Sequence, residues 1–188
     1  MSIVQQKQQL RTKMRQARRA LSDAQRQTYA DQLSQVFGDF IKADDAPLSL
    51  YLSFDGELNT QGLINHCWDK NLNVYLPIVG AQNSAMNFTL YQPDSVMTHN
   101  RYDILEPLGE QQDGSQLRTI FLPLTAFDKA GQRLGMGAGY YDRTLAKLTS
   151  KPKLVGLAYD FQEVANCPTD EFDQKLDWIL TPEGVIKA

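Results

Sequence analysis

The chain has 188 residues, 42% hydrophobic and 22% charged, which fits one folded domain with a full core and excludes a disordered or low-complexity protein. Of its 19 basic residues, six lie in residues 1–21 beside no acid, leaving 13 against 22 acids; so acidic a body excludes a general nucleic-acid surface. No apolar run approaches ~20 residues, so no membrane span is expected, and Cys67 and Cys167 alone fit a reducing, cytoplasmic compartment rather than a disulfide framework.

The first stretch is Arg-rich and acid-poor, as a transit peptide would be, but it is poor in serine and reads as a regular helix. Ile3, Leu10, Met14, Ala17 and Leu21 form an apolar stripe at helical spacing. Lys7, Arg11, Arg15 and Arg18 form an adjacent stripe. By pattern alone that stripe is a solvated basic face, yet Lys7 and Arg11 stand one turn apart and can reach one anion together. Ser22-x-x-Gln25 is a capping box that starts a second helix, with Tyr29, Leu33, Val36, Phe37, Phe40 and Ile41 on its apolar face. Asp44 to Pro47 breaks it.

Leu48 to Ser53 reads as a strand, followed by the loop Phe54 to Thr60 at its C-terminal end, where open α/β sheets bind ligands. Glu57 in this loop reads by default as a solvated carboxylate. Thr60 is placed to cap a helix over Gln61 to Lys70. His66 and Cys67 lack further ligands at metal-binding spacing and read as structural; His99 reads as a surface residue. Strands follow at Asn73 to Ile78 and, with alternating polarity, at Met86 to Tyr91. Residues 102–107 and 109–115 read mostly as loop.

Thr119 to Leu122 is an apolar run suited to a buried strand, stopped by Pro123, which has no N–H to donate. Asp128 to Gly131 reads as a turn, and Gly135, Gly137 and Gly139 alternate directly before a helical pattern from Tyr140 that continues through Leu148. Strand, glycine-rich loop and helix start is an arrangement suited to phosphate, with Arg133 and Arg143 as flanking cations and Asp142 as a hard carboxylate for Mg²⁺. It is neither the Walker pattern nor the dinucleotide fingerprint, and spacing alone leaves open a tight turn whose glycines serve only the backbone. Lys153 to Tyr159 is another strand, Pro168 to Asp173 an acidic loop and Leu176 to Leu180 a last strand. Strands alternating with helices imply an α/β fold, a mainly parallel sheet with helices on both faces; Met86 to Tyr91 suggests an inserted antiparallel pair.

The whole string is more specific than its glycines. Pro123, Ala126-Phe127-Asp128, Gly131, Arg133-Leu134-Gly135, Gly137 and Gly139-Tyr140-Tyr141-Asp142-Arg143 closely resemble the signature of the 5-formyltetrahydrofolate cyclo-ligase family. Ala138 departs from it, standing where many members carry glycine or lysine, so phosphate contacts there would fall to backbone and to arginines elsewhere. The resemblance covers nearly the full chain as one domain, residues 1–188, and implies the α/β fold of the NagB/RpiA/CoA-transferase group. It implies ATP- and Mg²⁺-dependent closure of 5-formyltetrahydrofolate to 5,10-methenyltetrahydrofolate, through a phosphorylated formyl group attacked by N10. It places ATP on Lys7, Arg11, Arg133, Leu134, Gly135, Met136, Gly137, Ala138, Gly139, Tyr140 and Tyr141. It places the folate on Leu52 and Glu57, with residues 102–107, which resemble a short family segment, as a loop that could help line its pocket, and Mg²⁺ on Asp142 and Asp173; Arg133 and Tyr141 are the expected catalytic groups. Tyr140 and Tyr141 could each stack on a ring, donate an O–H, or serve core packing. The expected partners are these small molecules, with no nucleic acid or membrane, and a monomer is expected. Two other readings stay open: another phosphate-binding enzyme on the same fold, and a non-catalytic folate- or nucleotide-binding regulator.

Overall fold

The computed structural model describes residues 1–170 and 173–188. In chain order the elements are α1 (Ile3–Arg19), α2 (Asp23–Phe40), β1 (Leu48–Ser49), α3 (Gln61–Asp69), β2 (Val74–Ile78) and β3 (Asn87–Tyr91). Then come β4 (Met97–His99), β5 (Leu105–Pro107), β6 (Gln111–Gln112), β7 (Thr119–Pro123), β8 (Ala126–Phe127), β9 (Arg133–Leu134) and α4 (Tyr140–Leu145). β10 (Lys153–Leu157), β11 (Trp178–Thr181) and β12 (Gly184–Lys187) end the chain.

Among the described residues the main sheet runs β12-β11-β10-β7-β1-β2-β3-β6. Its centre, β11 to β2, is parallel, while β12 at one edge and β3 with β6 at the other are antiparallel. β7 shows why this is a two-faced core. Phe121 points into a cluster built with Leu33 and Phe37 of α2 and Leu63 and Ile64 of α3. Its neighbours Ile120 and Leu122 point the other way, toward Phe88, Ile179 and the partly buried Tyr141, Leu145 and Leu148 of α4 and the turn after it. Each such side chain, fully buried, contributes about 1.5–3 kcal/mol, so packing on the sheet rather than helix propensity holds the layers. Helices thus lie on both faces, as the sequence pattern implies.

Several elements differ from the sequence reading. β1 ends at Ser49 rather than Ser53 because the Thr60 hydroxyl takes the Tyr51 carbonyl that a longer ladder would use. The cap at the start of α3 therefore falls to Asn59, whose Oδ1 accepts the Gln61 N–H at 2.9 Å, and not to Thr60. Residues 102–107 are not all loop: β5 pairs with β4 around a turn in which Asn100 Oδ1 accepts the N–H groups of Tyr102 (2.8 Å) and Ile104 (3.2 Å). Within 109–115, β6 pairs with β3, and β8 with β9 closes a hairpin over the Asp128 turn. These strands hold two or three residues, too few for a polarity period to show. α4 stops at Leu145, where the Lys147 and Leu148 N–H groups bond three residues back instead of four. No described helix is long and apolar enough to cross a membrane, and Cys67 and Cys167 are buried free thiols.

The largest difference concerns α1. Its inward residues are Lys7, Met14 and Arg18, whereas Ile3 of the expected apolar stripe is exposed. The helix lies over the β8–β9 hairpin, where Met14 meets Ala126, Leu134 and Cys167. The basic stripe is therefore not a solvated face but one that looks into the protein.

Candidate active site

The parallel strands β1, β2 and β7 end at one cavity of about 770 Å³. Tyr51 and Leu52 line it from beyond β1, Val79 from beyond β2 and Pro123 from the end of β7. The C-terminal edge of a parallel sheet is where α/β folds hold ligands. α1 supplies Lys7 and Arg11 from one side, and the glycine loop 135–139 another wall.

The loop conformation follows from its glycines at two points. Gly137 has φ +104° and Gly139, which precedes α4, has φ +67°, backbone that residues with a side chain rarely adopt. Two arginines hold the loop. Arg11 Nε donates to the Gly135 carbonyl at 2.9 Å, and Arg143 Nη2 donates to the Ala138 carbonyl at 2.7 Å. The exposed Ala138 thus contributes backbone to the site, and Arg143 rather than a lysine at position 138 anchors the loop.

Cations and carboxylates pair across the same end of the cavity. Lys7 Nζ lies 2.6 Å from Asp173 Oδ2 and 2.8 Å from Asp170 Oδ2. Burial would depress the Lys7 pKa, but these carboxylates more than offset it and hold it above its ordinary value. Burial pulls the Arg11 pKa down, and the charge of Asp173 opposes this. Arg133, 3% exposed, donates from Nη2 to Asp142 Oδ1 at 2.6 Å, and its Nε has no partner among the described residues. The Gln174 N–H adds a 3.2 Å bond to the same Asp142 oxygen. Residues 171 and 172 of the acidic loop lie outside the described residues.

The two tyrosines separate. Tyr140 shares a hydrogen bond with Tyr102 across 3.1 Å, with the Arg143 guanidinium 5.2 Å over its ring. Tyr141 turns its hydroxyl inward, where the oxygen is buried without a partner among the described residues. Burial, then the charge of Glu57, push its pKa up, with Arg133 opposing, so it keeps its proton as a donor.

Toward the other end the walls become apolar through Leu52, Leu76, Met86 and Ile104, interrupted by two buried carboxylates. Glu57 sits with its side chain 8% exposed, one oxygen accepting the Phe54 N–H at 3.0 Å. Burial raises its pKa to about 7, against the pull of that N–H and of Arg18. Glu106, 7% exposed, accepts from the Val79 N–H (2.8 Å) and Asn100 Nδ2 (2.7 Å) through Oε1.

Of the residues expected from sequence, the cavity brings together Lys7, Arg11, Leu52, Glu57, Arg133, residues 135 to 141, Asp142 and Asp173. Leu134 is the exception. It follows Arg133 in β9, and alternation sends its side chain away from the cavity into the Met14 cluster. Sequence reasoning gave Asn100 no role, and it named Tyr102 and Glu106 only as part of a loop, residues 102–107, that could help line the folate pocket; the cavity is lined by all three. It also left Arg18 and Asp55 without a role. Arg18's place eleven residues after Lys7, on the same helix face, was the available signal.

The family model described as "5-formyltetrahydrofolate cyclo-ligase family" matches residues 3–182. The chain belongs to the 5-formyltetrahydrofolate cyclo-ligase family. It is 41% identical over 182 residues to a 5-formyltetrahydrofolate cyclo-ligase of Haemophilus influenzae, covering 94% of this chain and 97% of that one. An Escherichia coli K12 enzyme of the same name is 39% identical over 180 residues, 92% and 98% of the two chains. The solution structure of Aquifex aeolicus 5,10-methenyltetrahydrofolate synthetase superposes with a TM-score of 0.84 at 28% identity, covering 96% of this chain and 92% of that one. Membership makes this chain an enzyme of the cyclo-ligase type, and its α/β sheet is the one that family folds into.

Proposed function

We propose that this chain closes 5-formyltetrahydrofolate to 5,10-methenyltetrahydrofolate with MgATP, releasing ADP and phosphate. The observation that carries the reading is one cavity with two chemically different ends. Loop glycines and the cations Lys7, Arg11 and Arg133 suit phosphates at one end; apolar walls with a buried carboxylate suit a pterin ring at the other.

Formamide oxygen is a poor leaving group, so it must first be activated. The γ-phosphoryl group moves to that oxygen, breaking its bond to ADP. N10 then attacks the formyl carbon, the carbon–oxygen bond breaks, phosphate leaves with the oxygen, and N10 gives up its proton. The protein's work is alignment and charge neutralisation. Lys7, Arg11 and Arg133 take the phosphate charge, the loop backbone from Gly135 to Tyr141 holds the phosphates, and the Tyr141 hydroxyl donates to an oxygen in the cavity. Leu52 packs on the folate and Glu57 accepts its N–H donors.

Asp142 and Asp173 fit Mg²⁺ as hard oxygen donors on the phosphate end. No three His, Cys, Asp or Glu residues cluster as a cage among the described residues, which suits an ion bound largely by phosphates and water. When bound, the ion neutralises phosphate charge. Each of these carboxylates is meanwhile satisfied by a cation, Arg133 or Lys7, that phosphates would engage. The charges of the site thus neutralise one another, and MgATP would exchange one set of ion pairs for another.

The deciding experiment follows absorbance in the methenyl-folate band after mixing protein, 5-formyltetrahydrofolate and MgATP. A rise that needs both ATP and Mg²⁺ supports the reading; no rise from folded protein overturns it. Within the same assay, Glu57→Ala raises the folate KM about tenfold or more while the ATP KM changes little, since a charge-assisted bond is lost at one end only. Equal rises in both would remove Glu57 from the folate.

A further inference from the structure

Arg18 reaches both the Glu57 loop and the glycine loop. It belongs to α1 and is 0% exposed. Its Nη1 lies 3.4 Å from the Leu124 carbonyl beyond β7 and 4.0 Å from Glu57 Oε1. Its Nη2 lies 3.3 Å from Asp55 Oδ2 and 3.6 Å from Met136 Sδ in the glycine loop. A buried guanidinium loses several kcal/mol of hydration, and packing alone would be served as well by an apolar side chain of the same length. Its charge therefore needs a task.

Asp55 is not that task by itself. Arg15 already donates to it at 2.6 Å and Arg19 grips its other oxygen, Nε at 2.7 Å. Burial works to raise the Asp55 pKa, and these two arginines overcome it, holding the carboxyl below its usual range. The charged and titratable groups that face Glu57 among the described residues are Arg18 from α1, Arg26 from α2, Asp55 from its own loop, Tyr51 beyond β1, Tyr141 from α4 and Tyr159 beyond β10. Of the two cations, Arg18 is the one whose guanidinium comes within 4.0 Å of the Glu57 carboxylate. Between the two carboxylates, Gly56 (φ +76°) presses the loop on the helix so closely that an added Cβ would lie 3.3 Å from Arg18 Cβ and 3.0 Å from Arg26 Nη1. The loop can therefore present Glu57 to Arg18 only from this seat.

We propose that Arg18 is a positioning residue for Glu57, holding its carboxyl group aimed into the cavity at the N–H donors of the folate ring. The inference rests on the folate reading above. It acts through Glu57 and not on substrate.

Two measurements test it. The first is the Glu57 carboxyl titration by ¹³C NMR without any ligand, in the wild-type chain, Arg18→Met and Arg18→Lys. Removing the nearby positive charge moves the midpoint upward by about one pH unit or more, and the lysine restores it in part. The second is a double-mutant cycle in the cyclisation assay. Arg18→Met raises the folate KM about tenfold at neutral pH with the ATP KM little changed. In a Glu57→Gln background the same substitution adds less than about twofold, because its route of action is gone. An unmoved titration, a full Arg18→Met effect in the Glu57→Gln background, or a parallel rise in the ATP KM overturns the proposal. Where Arg18→Met does not fold, Arg18→Gln, which keeps hydrogen-bonding groups without charge, is read by the same outcomes. The NMR arm needs no substrate, so its failure is distinct from a wild-type chain that does not turn over the folate.

Discussion

Asp142→Asn lowers kcat at saturating MgATP by about 10²–10³-fold, the usual loss when one preorganised electrostatic group is removed from a phosphoryl-transfer site. The amide has the shape of the carboxylate, and its oxygen still accepts the Gln174 N–H that Asp142 holds at 3.2 Å. What disappears is the carboxylate proposed above as a donor for Mg²⁺, together with the counter-charge of Arg133. Asp142 itself is 21% exposed, but the amide leaves the buried Arg133 guanidinium without its counter-charge, so some stability is lost beside turnover. Steady-state kinetics beside a thermal melt check this: turnover within threefold of wild type would take Asp142 out of the metal site. Arg133→Ala breaks the same pair from its buried side. That guanidinium is buried against Asp142, so the variant loses stability as well as turnover.

Glu57→Gln is more stable than the wild-type chain at pH 8, by up to about 3 kcal/mol, and the difference closes as pH falls toward 5. The sign follows from proton counting. Burial raises the folded carboxyl to about 7 from an ordinary 4.5. Between those values the folded chain binds more protons than the unfolded one, so wild-type stability falls as pH rises through the window and levels off above it. A shift of that size corresponds to about 3 kcal/mol at 1.36 kcal/mol per pH unit. Glutamine stays neutral throughout and keeps an oxygen for the Phe54 N–H. Asp55 slopes the opposite way, its contribution present above its ordinary pKa and lost only in stronger acid, so the windows do not overlap. Urea melts at pH 5 and pH 8 decide it; a gap that does not change with pH would contradict the burial of a charged Glu57. A carboxylate that costs stability where it stands is what a binding group looks like.

The parallel centre of the sheet was legible because β7 and β10 are near-continuous apolar runs, as strands covered on both faces are. The glycine loop was legible because strand, glycines and helix start lie within one short stretch. The rest depended on contacts that sequence distance hides. The β4–β5 and β8–β9 pairs are too short to show a period, and β1 was shortened by a hydroxyl nine residues away. The family signature puts Leu134 with the loop, whereas its side of β9 decides where it points. For α1 the helical period was plain, but its inward side was chosen by hydrophobicity, the wrong criterion for a helix that docks on carboxylates. Glu106 could not be separated from solvated acids until Asn100 and Val79 were seen to fix it.

Docking by charge makes the grip of α1 uneven along its length. Near its start, Lys7 holds Asp170 and Asp173, and the Asp170 side chain is half exposed, within reach of mobile ions. Near its end, Arg18 and Asp55 are shielded from water. Dissolved salt screens exposed pairs over roughly 8 Å at physiological strength and shielded ones far less. Rising ionic strength should therefore loosen the helix from its first turns while the last stays fast, so that it swings like a gate on one post. Amide exchange would show this as protection lost around Lys7 before Arg18, and equal loss at both ends would refute it. Solution composition alone would then set how wide the cation-lined end of the cavity stands.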